Sequence, residues 1–364
     1  MNEQKKYMTR ALELAALGCG KTSPNPMVGA VIVKDGKIVG EGWHQKAGTP
    51  HAEIHALTMA GPLACQADVY VNLEPCSHFG KTPPCADALI AAGVKNVFVA
   101  VCDPNPLVAG RGLAKLKAAG IKTEVGLLEV EAKKLNEIFF KNMQKNMPFV
   151  ALKAAVSLDG KTATASGSSQ WITGSAARAR GHLLRHEYDA VLTGIGTVIA
   201  DNPQLTVRLA GEWQQPTRVV FDEDFSIPLE SKILDIFVAP TLVYVAKPNA
   251  EKEKLLAAKG VKVVLCPGPD GRVDVIKALK DMYERGICSV LVEAGGTLNA
   301  SLLEAGLIDK TYVFMAAKLV GGKQAPGIFG GIGINKIDEA WLIKDLTLEK
   351  IEEDWLFAGY PYRG

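Results

Sequence analysis

Residue types that bind zinc lie in two short segments of the first quarter of the chain. The segment HAEIHAL contains His51 and Glu53, and the segment NLEPCSHFGKTPPCADALI contains Cys76 and Cys85. Imidazole and thiolate are ligands that Zn²⁺ prefers, usually in tetrahedral geometry. Three protein ligands, His51, Cys76 and Cys85, would leave the fourth coordination position to water. The pattern therefore predicts a catalytic zinc site.

Glu53 has a different predicted role, because the metal does not need it as a ligand. A carboxylate beside a metal-activated water can take up a proton and deliver it to a leaving amine. Zinc nucleobase deaminases carry the signature H-x-E…P-C-x-x-C. His51, Glu53 and the pair Pro75-Cys76 fit this signature, but Cys85 follows Cys76 at C-x8-C spacing. A larger loop must therefore join the two cysteines, and it can carry substrate contacts.

Each of these features also has a simpler explanation. A His-x-x-x-His pair on a helix is more often structural than ligating, and a lone HAE tripeptide or two cysteines nine positions apart arise by chance. The combination in this order, with each part at the expected end of an element, favours a metal site. We leave His55 out of the ligand set, as a core histidine or one that lies behind the ligands.

Hydrophobic periodicity predicts the elements that position these side chains. Strands alternate with helices in the first half, which indicates a layered α/β domain. The expected order is a helix at 4–18, a hairpin at 30–43 with its turn at Asp35-Gly36, a helix at 51–60, a strand ending before Cys76, a helix at 85–92, a strand at 96–101 and a helix at 111–119.

An amphipathic segment at 129–146 is interpreted as one connecting helix, which Pro148 ends. The predicted domains are therefore 1–147 and 148–364.

A second α/β series of strands and helices is predicted for the second domain. Its expected strands are 149–156, 189–193, 217–221, 241–245, 261–265, 288–292 and 310–315, and its expected helices are 175–186, 250–258, 273–284 and 297–305.

Composition narrows the classes of function. The 364 residues are 48% hydrophobic and 22% charged, with a net charge of +2 and no dense Lys/Arg block, which argues against a nucleic-acid partner. No stretch approaches the roughly 18 apolar residues of a membrane span, and the N-terminus lacks the apolar core of a signal peptide. Seven cysteines argue against a disulfide framework. We expect a cytoplasmic enzyme that acts on small molecules.

Longer motifs resemble a known family. The segments SPNPMVGAVIV, HAEIHAL, NLEPCSHFGKTPPCADALI and VCDPNPLVAGRG resemble the deaminase half of bacterial bifunctional riboflavin-pathway enzymes. The segments LKAAVSLDGKTATASGSSQWITG, DAVLTGIGTVIADNPQLTVR and LVEAGGTLNASLL resemble the reductase half. The resemblance implies a cytidine-deaminase-like three-layer α/β/α domain followed by a dihydrofolate-reductase-like α/β domain. A homo-oligomer, either a dimer through the reductase halves or a tetramer, is also implied.

The implied chemistry has two steps. The first half would deaminate 2,5-diamino-6-(5-phosphoribosylamino)pyrimidin-4-one, with His51, Cys76 and Cys85 as zinc ligands and Glu53 as the proton shuttle. The second half would reduce the ribosyl group of the product to ribityl with NADPH. By resemblance, the deaminase substrate contacts are Asn25, His44, His78, Lys81, Asp103 and Asn105.

The reductase half lacks the G-x-G-x-x-G fingerprint after a suitable strand, so its cofactor contacts also rest on the resemblance. Arg185 and Arg208 suit a phosphate because a guanidinium can bind it bidentately. Lys153 is the candidate for orienting the sugar during hydride transfer. The implied NADPH contacts are Ala155, Trp171, Thr197, Asp201, Gly295, Gly296, Thr297, Leu298, Asn299, Ala300 and Ser301, and the implied substrate contacts are Ser169, Arg185, Leu205, Arg208 and Glu293.

Three other functions are compatible with parts of the pattern. A deaminase that edits nucleic acid would share the zinc motif, although the charge and the absence of a basic or aromatic stripe count against it. A zinc-binding scaffold without activity would have four protein ligands and no use for Glu53. The second half could instead reduce a pterin.

Overall fold

The computed structural model describes residues 3–77, 83–105 and 108–364. The chain forms two compact units, residues 1–146 and residues 147–364. Among the described residues, no helix is both long enough and apolar enough to cross a bilayer.

The first unit contains a five-stranded sheet with the order β2-β1-β3-β4-β5. Its strands are β1 (Gly29–Lys34), β2 (Lys37–Trp43), β3 (Asp68–Val71), β4 (Asn96–Val99) and β5 (Lys122–Val125). β1 is antiparallel to β2 and β3, whereas β3, β4 and β5 are parallel. The predicted hairpin is confirmed, because Asp35 and Gly36 both have positive φ, 50° and 74°, and join β1 to β2.

The described part of this unit has the helices α1 (Glu3–Ala16), α2 (Ala52–Ala60), α3 (Cys85–Ala91), α4 (Arg111–Ala118), α5 (Glu129–Leu135) and α6 (Glu137–Lys145). Successive residues of a strand face opposite sides of a sheet. Accordingly, Val31 packs in a buried cluster with Tyr7 and Met8 of α1, whereas Ile32 packs in a second cluster that includes the α2 alanines. The sheet lies between two helical layers, which confirms the predicted three-layer α/β/α fold.

Glycines in β2 allow α2 to lie directly against the sheet. A Cβ atom at Gly40 would lie 2.3 Å from the Ala56 carbonyl oxygen, and one at Gly42 would lie 2.4 Å from the Ala52 carbonyl oxygen. Real Cβ atoms do not approach backbone this closely, so larger residues would displace the helix. The close approach holds the start of α2, and with it His51, against the sheet.

The prediction of one connecting helix at 129–146 was wrong. α5 ends at Leu135 and α6 begins at Glu137, with Asn136 between them at φ −106°. The buried Asn136 side chain pairs with the backbone of Met27, accepting from its N–H at 2.8 Å and donating to its carbonyl at 2.9 Å. This long-range pairing favours the helix break over a continuous helix.

The second unit contains a nine-stranded sheet with the order β10-β9-β8-β7-β11-β6-β12-β14-β13. The pairs from β10 to β12 are parallel, and β14 is antiparallel to both β12 and β13. The strands are β6 (Phe149–Ser157), β7 (Ala190–Gly194), β8 (Thr217–Asp222), β9 (Thr241–Val245), β10 (Lys262–Leu265), β11 (Ser289–Val292), β12 (Lys310–Ala316), β13 (Leu342–Ile351) and β14 (Asp354–Tyr362).

The helices of this unit are α7 (Ser175–Glu187), α8 (Ile195–Asp201), α9 (Ala250–Ala258), α10 (Val275–Glu284) and α11 (Gly296–Glu304). All seven expected strands and all four expected helices of this half are present within two residues of their predicted bounds. The sequence did not predict β5, α8 or the hairpin of β13 and β14. Nearly every residue of β13 is exposed, so the strand lacks the alternation of buried and exposed residues that identifies a half-buried strand.

Candidate metal centre and cofactor cavity

The first unit brings His51, Cys76 and Cys85 together. The His51 Nδ1 atom lies 3.6 Å from the Cys76 Sγ atom and 3.3 Å from the Cys85 Sγ atom, and the ligand atoms of all three lie within 4.8 Å of one another. Zinc bonds of about 2.0 Å to nitrogen and 2.3 Å to sulfur at tetrahedral angles would separate these atoms by about 3.5 Å. The donor set and its spacing therefore fit a zinc ion.

Two of the three ligands lie at the start of a helix. His51 immediately precedes α2, and Cys85 is the first residue of α3. Cys76 follows the loop after β3, and its position is held by backbone contacts. The Cys85 N–H donates to the Cys76 Sγ atom at 3.3 Å, and the Ala86 N–H donates to the Cys76 carbonyl at 3.1 Å. Helix N-termini also favour negative charge, which suits thiolates.

Hydrogen bonds among the two thiols and the imidazole shift the pKa of each group. The hydrogen bond with Cys85 lowers the pKa of the Cys76 thiol, and the same contact raises the pKa of Cys85. The hydrogen bond to Cys76 raises the pKa of His51. Negative charge at Cys76 is therefore stabilised within the cluster. Since a metal binds thiolate and neutral imidazole, metal binding would release the remaining protons.

Glu53 is buried beside this cluster, with 3% of its surface exposed. Burial and, to a lesser extent, the negative charge of Cys76 raise the pKa of Glu53 to about 7. Its Oε2 atom has no hydrogen-bond partner among the described residues. A buried carboxyl group with this pKa can both accept and donate a proton near neutral pH, which is what a general acid/base requires.

Two of the predicted substrate residues adjoin the metal ligands. The buried His44 ring lies edge-on to the His51 ring, with 5.4 Å between centroids. Its Nδ1 atom is 3.2 Å from the Pro50 carbonyl, which can only accept, so Nδ1 carries the proton. The Nε2 atom then accepts from the Asn25 Nδ2 atom at 3.3 Å. This pairing turns the Asn25 Oδ1 atom away from His44, so that it can accept a hydrogen bond from a ligand.

Asp103 and Asn105 follow β4 on a loop of the same unit. The Asp103 Oδ1 atom accepts a hydrogen bond from the Asn105 N–H at 2.8 Å, and the Asp103 N–H donates to Glu74. Glu74 was not among the predicted site residues, although it lies two residues before a predicted metal ligand. The other two predicted substrate residues, His78 and Lys81, lie outside the described residues.

The second unit has a cavity of about 950 Å³ at the carboxyl ends of its parallel strands. Its walls include Thr197 after β7, Glu223 after β8 and Glu293 after β11. Ligands of open α/β sheets characteristically bind in this place. The volume is at the upper end of the range for small-molecule sites, about 300 to 1,000 Å³.

Most of the predicted reductase residues line this cavity. The lining includes Ala155, Ser169, Trp171, Arg185, Thr197, Asp201, Leu205, Arg208, Glu293, Gly295, Gly296, Thr297, Leu298, Asn299 and Ser301, together with Lys153. Ala300 is not among them, because it is buried within α11. The start of α11 presents backbone N–H groups to the cavity, where a phosphate is favoured.

Arg185, Glu293 and Lys153 form one largely buried charge cluster in the cavity wall. Arg185 binds both carboxylate oxygens of Glu293, at 2.6 and 3.0 Å, and the Lys153 Nζ atom lies 3.4 Å from the Glu293 Oε2 atom. Burial alone would raise the pKa of Glu293, but Arg185 and Lys153 together hold it below its ordinary value. Glu293 thus engages the Nε and Nη2 atoms of Arg185, and the Arg185 Nη1 atom donates to the Thr206 carbonyl at 2.9 Å. Arg208, in contrast, is exposed.

Two more cations line the cavity beyond those predicted, Lys232 and Arg272. Lys232 begins a single 3₁₀ turn and Arg272 lies in an irregular segment, so neither periodicity nor a motif indicated them. Together with Lys153, Arg185 and Arg208 they provide positive charge for an anionic ligand. The cavity volume, its N–H groups at α11 and this charge fit a phosphate-bearing dinucleotide.

Comparisons with known families match both units. The family model described as cytidine and deoxycytidylate deaminase zinc-binding region matches residues 1–101. The model described as RibD C-terminal domain matches residues 148–357.

Full-length relatives are also similar to the chain. Riboflavin biosynthesis protein RibD of Aquifex aeolicus is 46% identical over 350 residues, which cover 96% of each chain. RibD of Escherichia coli is 45% identical over 364 residues, covering 97% of this chain and 98% of its own.

Solved structures agree over the same length. Acinetobacter baumannii RibD, form 1, is 43% identical with a TM-score of 0.89, and covers 99% of both chains. A Thermotoga maritima diaminohydroxyphosphoribosylaminopyrimidine deaminase/5-amino-6-(5-phosphoribosylamino)uracil reductase is 37% identical with a TM-score of 0.89, also covering 99% of both chains.

Proposed function

The chain belongs to the RibD family of riboflavin biosynthesis proteins, and from this premise we propose which step each unit performs and with which residues. It is a bifunctional enzyme with deaminase and reductase activities. We assign deamination to residues 1–147 and reduction to residues 148–364. The observation that carries the assignment is the convergence of His51, Cys76 and Cys85 beside the buried Glu53.

The proposed first substrate is 2,5-diamino-6-(5-phosphoribosylamino)pyrimidin-4-one, and the product is 5-amino-6-(5-phosphoribosylamino)uracil. His51, Cys76 and Cys85 would hold the zinc ion, which, when bound, supplies a Lewis acid that makes water nucleophilic at neutral pH. Only three protein ligands are within reach in the described residues, so a coordination position remains for solvent.

Glu53 moves the protons in this proposal. Its carboxyl group has a pKa of about 7, so at neutral pH both protonation states are populated. The ionised form can take a proton from the attacking water, and the protonated form can give it to the departing amine. Because the group is buried, bulk water does not compete for that proton.

The substrate ring would be bound by Asn25, His44, Asp103 and Asn105, with His78 and Lys81 as further candidates. Amide and carboxylate side chains can read the N–H and carbonyl edges of a pyrimidine. The Asn25 Oδ1 atom is a suitable acceptor because His44 engages its Nδ2 atom. A purely apolar ring would offer these side chains no hydrogen-bonding groups, so the contacts discriminate against such a ring.

For the second step we propose reduction of the ribosyl group to ribityl with NADPH, which supplies the hydride. Residues implied for the dinucleotide are Ala155, Trp171, Thr197, Asp201, Gly295, Gly296, Thr297, Leu298, Asn299, Ala300 and Ser301. Fifteen of the sixteen predicted contacts in this unit, counting both cofactor and substrate residues, line one cavity. Their convergence from five separate segments supports the assignment.

Lys153 is the proposed catalytic residue of the reductase, and Ser169, Arg185, Leu205, Arg208 and Glu293 are the proposed substrate residues. The Glu293 carboxylate keeps the Lys153 ammonium group at the cavity wall. From there the ammonium group can donate a hydrogen bond to a sugar oxygen and stabilise negative charge that develops on it. Arg208, which is exposed in the cavity, is the better candidate for binding the substrate phosphate.

We also propose that the protein is a homo-oligomer, a dimer or a tetramer. β13 is the edge of the nine-stranded sheet, and it exposes several apolar side chains, among them Leu342, Leu346 and Leu348. Exposed apolar edge strands are normally covered. Replacing Leu348 with Lys should lower the mass measured by sedimentation, whereas the unchanged mass of the variant would contradict an interface at this edge.

Mass spectrometry of the reaction products tests the proposed function. Without NADPH, the pyrimidine substrate should exchange one amino group for oxygen. With NADPH, the product should then gain two hydrogens. Deamination of single-stranded DNA or a tRNA loop instead of the free nucleotide would refute the deaminase assignment, and reduction of a pterin alone would refute the reductase assignment.

A further inference from the structure

Glu74 connects two parts of the deaminase unit that the proposed mechanism treats separately. The residue follows β3, and only 3% of its surface is exposed. Its carboxylate accepts backbone hydrogen bonds on both oxygens. The donors are the N–H groups of Gly112 (3.0 Å) and Leu113 (3.3 Å) on Oε1, and those of Gly110 (3.0 Å) and Asp103 (3.3 Å) on Oε2.

A carboxylate suits this position because α4 has no capping side chain of its own. Its N-cap residue is Gly110, at φ 74°, which provides no oxygen for the first turn. The N–H groups of the first turn have no partners within the helix, and their dipoles favour negative charge. Glu74 therefore acts as a cap supplied from a distant part of the chain, through charge-assisted hydrogen bonds.

The same helix end packs on the segment that carries a metal ligand. A Cβ atom at Gly112 would lie 2.0 Å from the Pro75 carbonyl oxygen. No side chain fits at that distance, so the first turn of α4 lies directly on Pro75. Cys76 is the next residue, and its position is therefore linked to α4.

The Oε2 side of Glu74 holds the loop after β4. This oxygen accepts from the backbone of Asp103, and the Asp103 side chain in turn accepts from the backbone of Asn105. Asp103 and Asn105 are proposed substrate residues. One buried carboxylate thus joins the loop that would bind the pyrimidine to the segment that would bind the metal.

We propose that Glu74 is a positioning residue for deamination. It holds the loop of Asp103 and Asn105 at a constant distance from Cys76, so that the amine-bearing carbon of the pyrimidine meets Glu53 and the metal centre. The inference rests on the proposed function of this unit. Both Glu74 oxygens accept from backbone N–H groups, so we assign this residue no direct contact with substrate or metal, and we expect its effect mainly on substrate binding.

Replacing Glu74 with Gln tests the link in the full-length protein. A glutamine has one acceptor oxygen, and its NH₂ group repels the N–H donors that face it. One pair of contacts should therefore be lost. We expect the KM for the pyrimidine nucleotide to rise by on the order of tenfold or more, with a smaller change in kcat. Zinc content and reductase activity should be unchanged.

Two further variants sharpen the test. Gly112→Ala keeps the carboxylate but forces α4 away from Pro75, and it should raise the KM in the same way. Glu131→Gln, at an exposed glutamate of the same unit, is the matched control and should change nothing. Amide hydrogen exchange at 103 and 110–113 should accelerate in Glu74→Gln and not in the control.

Several outcomes would overturn the inference. An unchanged KM in zinc-loaded Glu74→Gln would do so, and so would unchanged amide exchange at these residues. Loss of zinc together with activity would show that Glu74 serves the ligands and not the substrate loop. If Glu74→Gln does not fold, an unchanged KM in Gly112→Ala decides against the link. Failure of the wild-type protein to deaminate would refute the proposed function instead, while the exchange measurement still tests the contacts.

Discussion

Arg185 holds Glu293 through two parallel hydrogen bonds, of 2.6 and 3.0 Å, across 108 positions of the sequence. The side chains are only 13% and 11% exposed. Lys153 approaches the same carboxylate at 3.4 Å. The cavity of the second unit thus has a largely buried anion, just after β11, between Lys153 of β6 and Arg185 of α7.

Replacing Glu293 with Gln should destabilise the second unit. The change leaves Arg185 and Lys153 as buried cations without their counter-charge, and breaking a buried pair costs about 3 to 5 kcal/mol. Denaturant unfolding that resolves the transition of the second unit measures the loss. The control is Glu187→Gln, which breaks a more exposed pair with Arg180 and should cost less than about 1 kcal/mol. Equal losses in both variants would contradict the role of burial.

Acidification should weaken the same cluster. Its cations hold the pKa of Glu293 below its ordinary value, so the contribution of Glu293 to stability is complete above the unfolded-state carboxyl pKa of about 4.3. As the pH falls from that value towards the folded-state pKa, the contribution is lost. The melting temperature of the second unit should therefore drop more steeply below about pH 4 in the wild type than in Glu293→Gln. Parallel curves would show that Glu293 does not account for the acid sensitivity.

Glu53→Gln should abolish deamination without removing zinc. The amide retains the shape of the side chain but cannot exchange a proton, and loss of a general acid/base typically costs about 10² to 10⁴ in rate. Metal analysis and the deamination rate, measured on one preparation, check both statements. Glu124→Gln, at an exposed position on β5, should behave as wild type. Full activity in Glu53→Gln would leave only a structural role for the metal site.

Zinc removal should separate the two activities. A chelator, or the substitution Cys85→Ala, should eliminate deamination while the reductase step, tested with its own substrate, continues. Cys65→Ala is the matched control, because Cys65 is an exposed cysteine of the same unit outside the cluster. Loss of both activities on chelation would mean that the metal also supports the second unit.

Lys153→Met should slow reduction and spare cofactor binding. Methionine preserves much of the aliphatic stem but removes the ammonium group, and loss of one stabilising donor typically costs about 10² to 10³ in kcat. Single-turnover kinetics with NADPH, together with titration of NADPH binding, separate the two effects. Lys262→Met, at an exposed position on β10, is the control. A weakened NADPH affinity with an unchanged hydride-transfer rate would assign Lys153 to the cofactor.

Short-range patterns were sufficient for much of the fold. Two β-rich runs around the Asp35-Gly36 turn predicted the hairpin, and α9 lies at its predicted bounds. The metal-site hypothesis also came from local information. Histidine and cysteine are the side chains that most often bind zinc together. His51, Cys76 and Cys85 each lie at the end of a predicted element.

Contacts between distant segments decided the rest. Asn136 ends a helix because Met27, 109 positions away, pairs with its side chain. Glu74 caps a helix 38 positions further along, and Arg185 of α7 takes its partner from the segment that follows β11. The local sequence determines whether a segment favours helix or strand, and which chemical groups its side chains offer. Which buried donor meets which acceptor depends on desolvation in the assembled core, and that is defined only once the sheets and helices have packed.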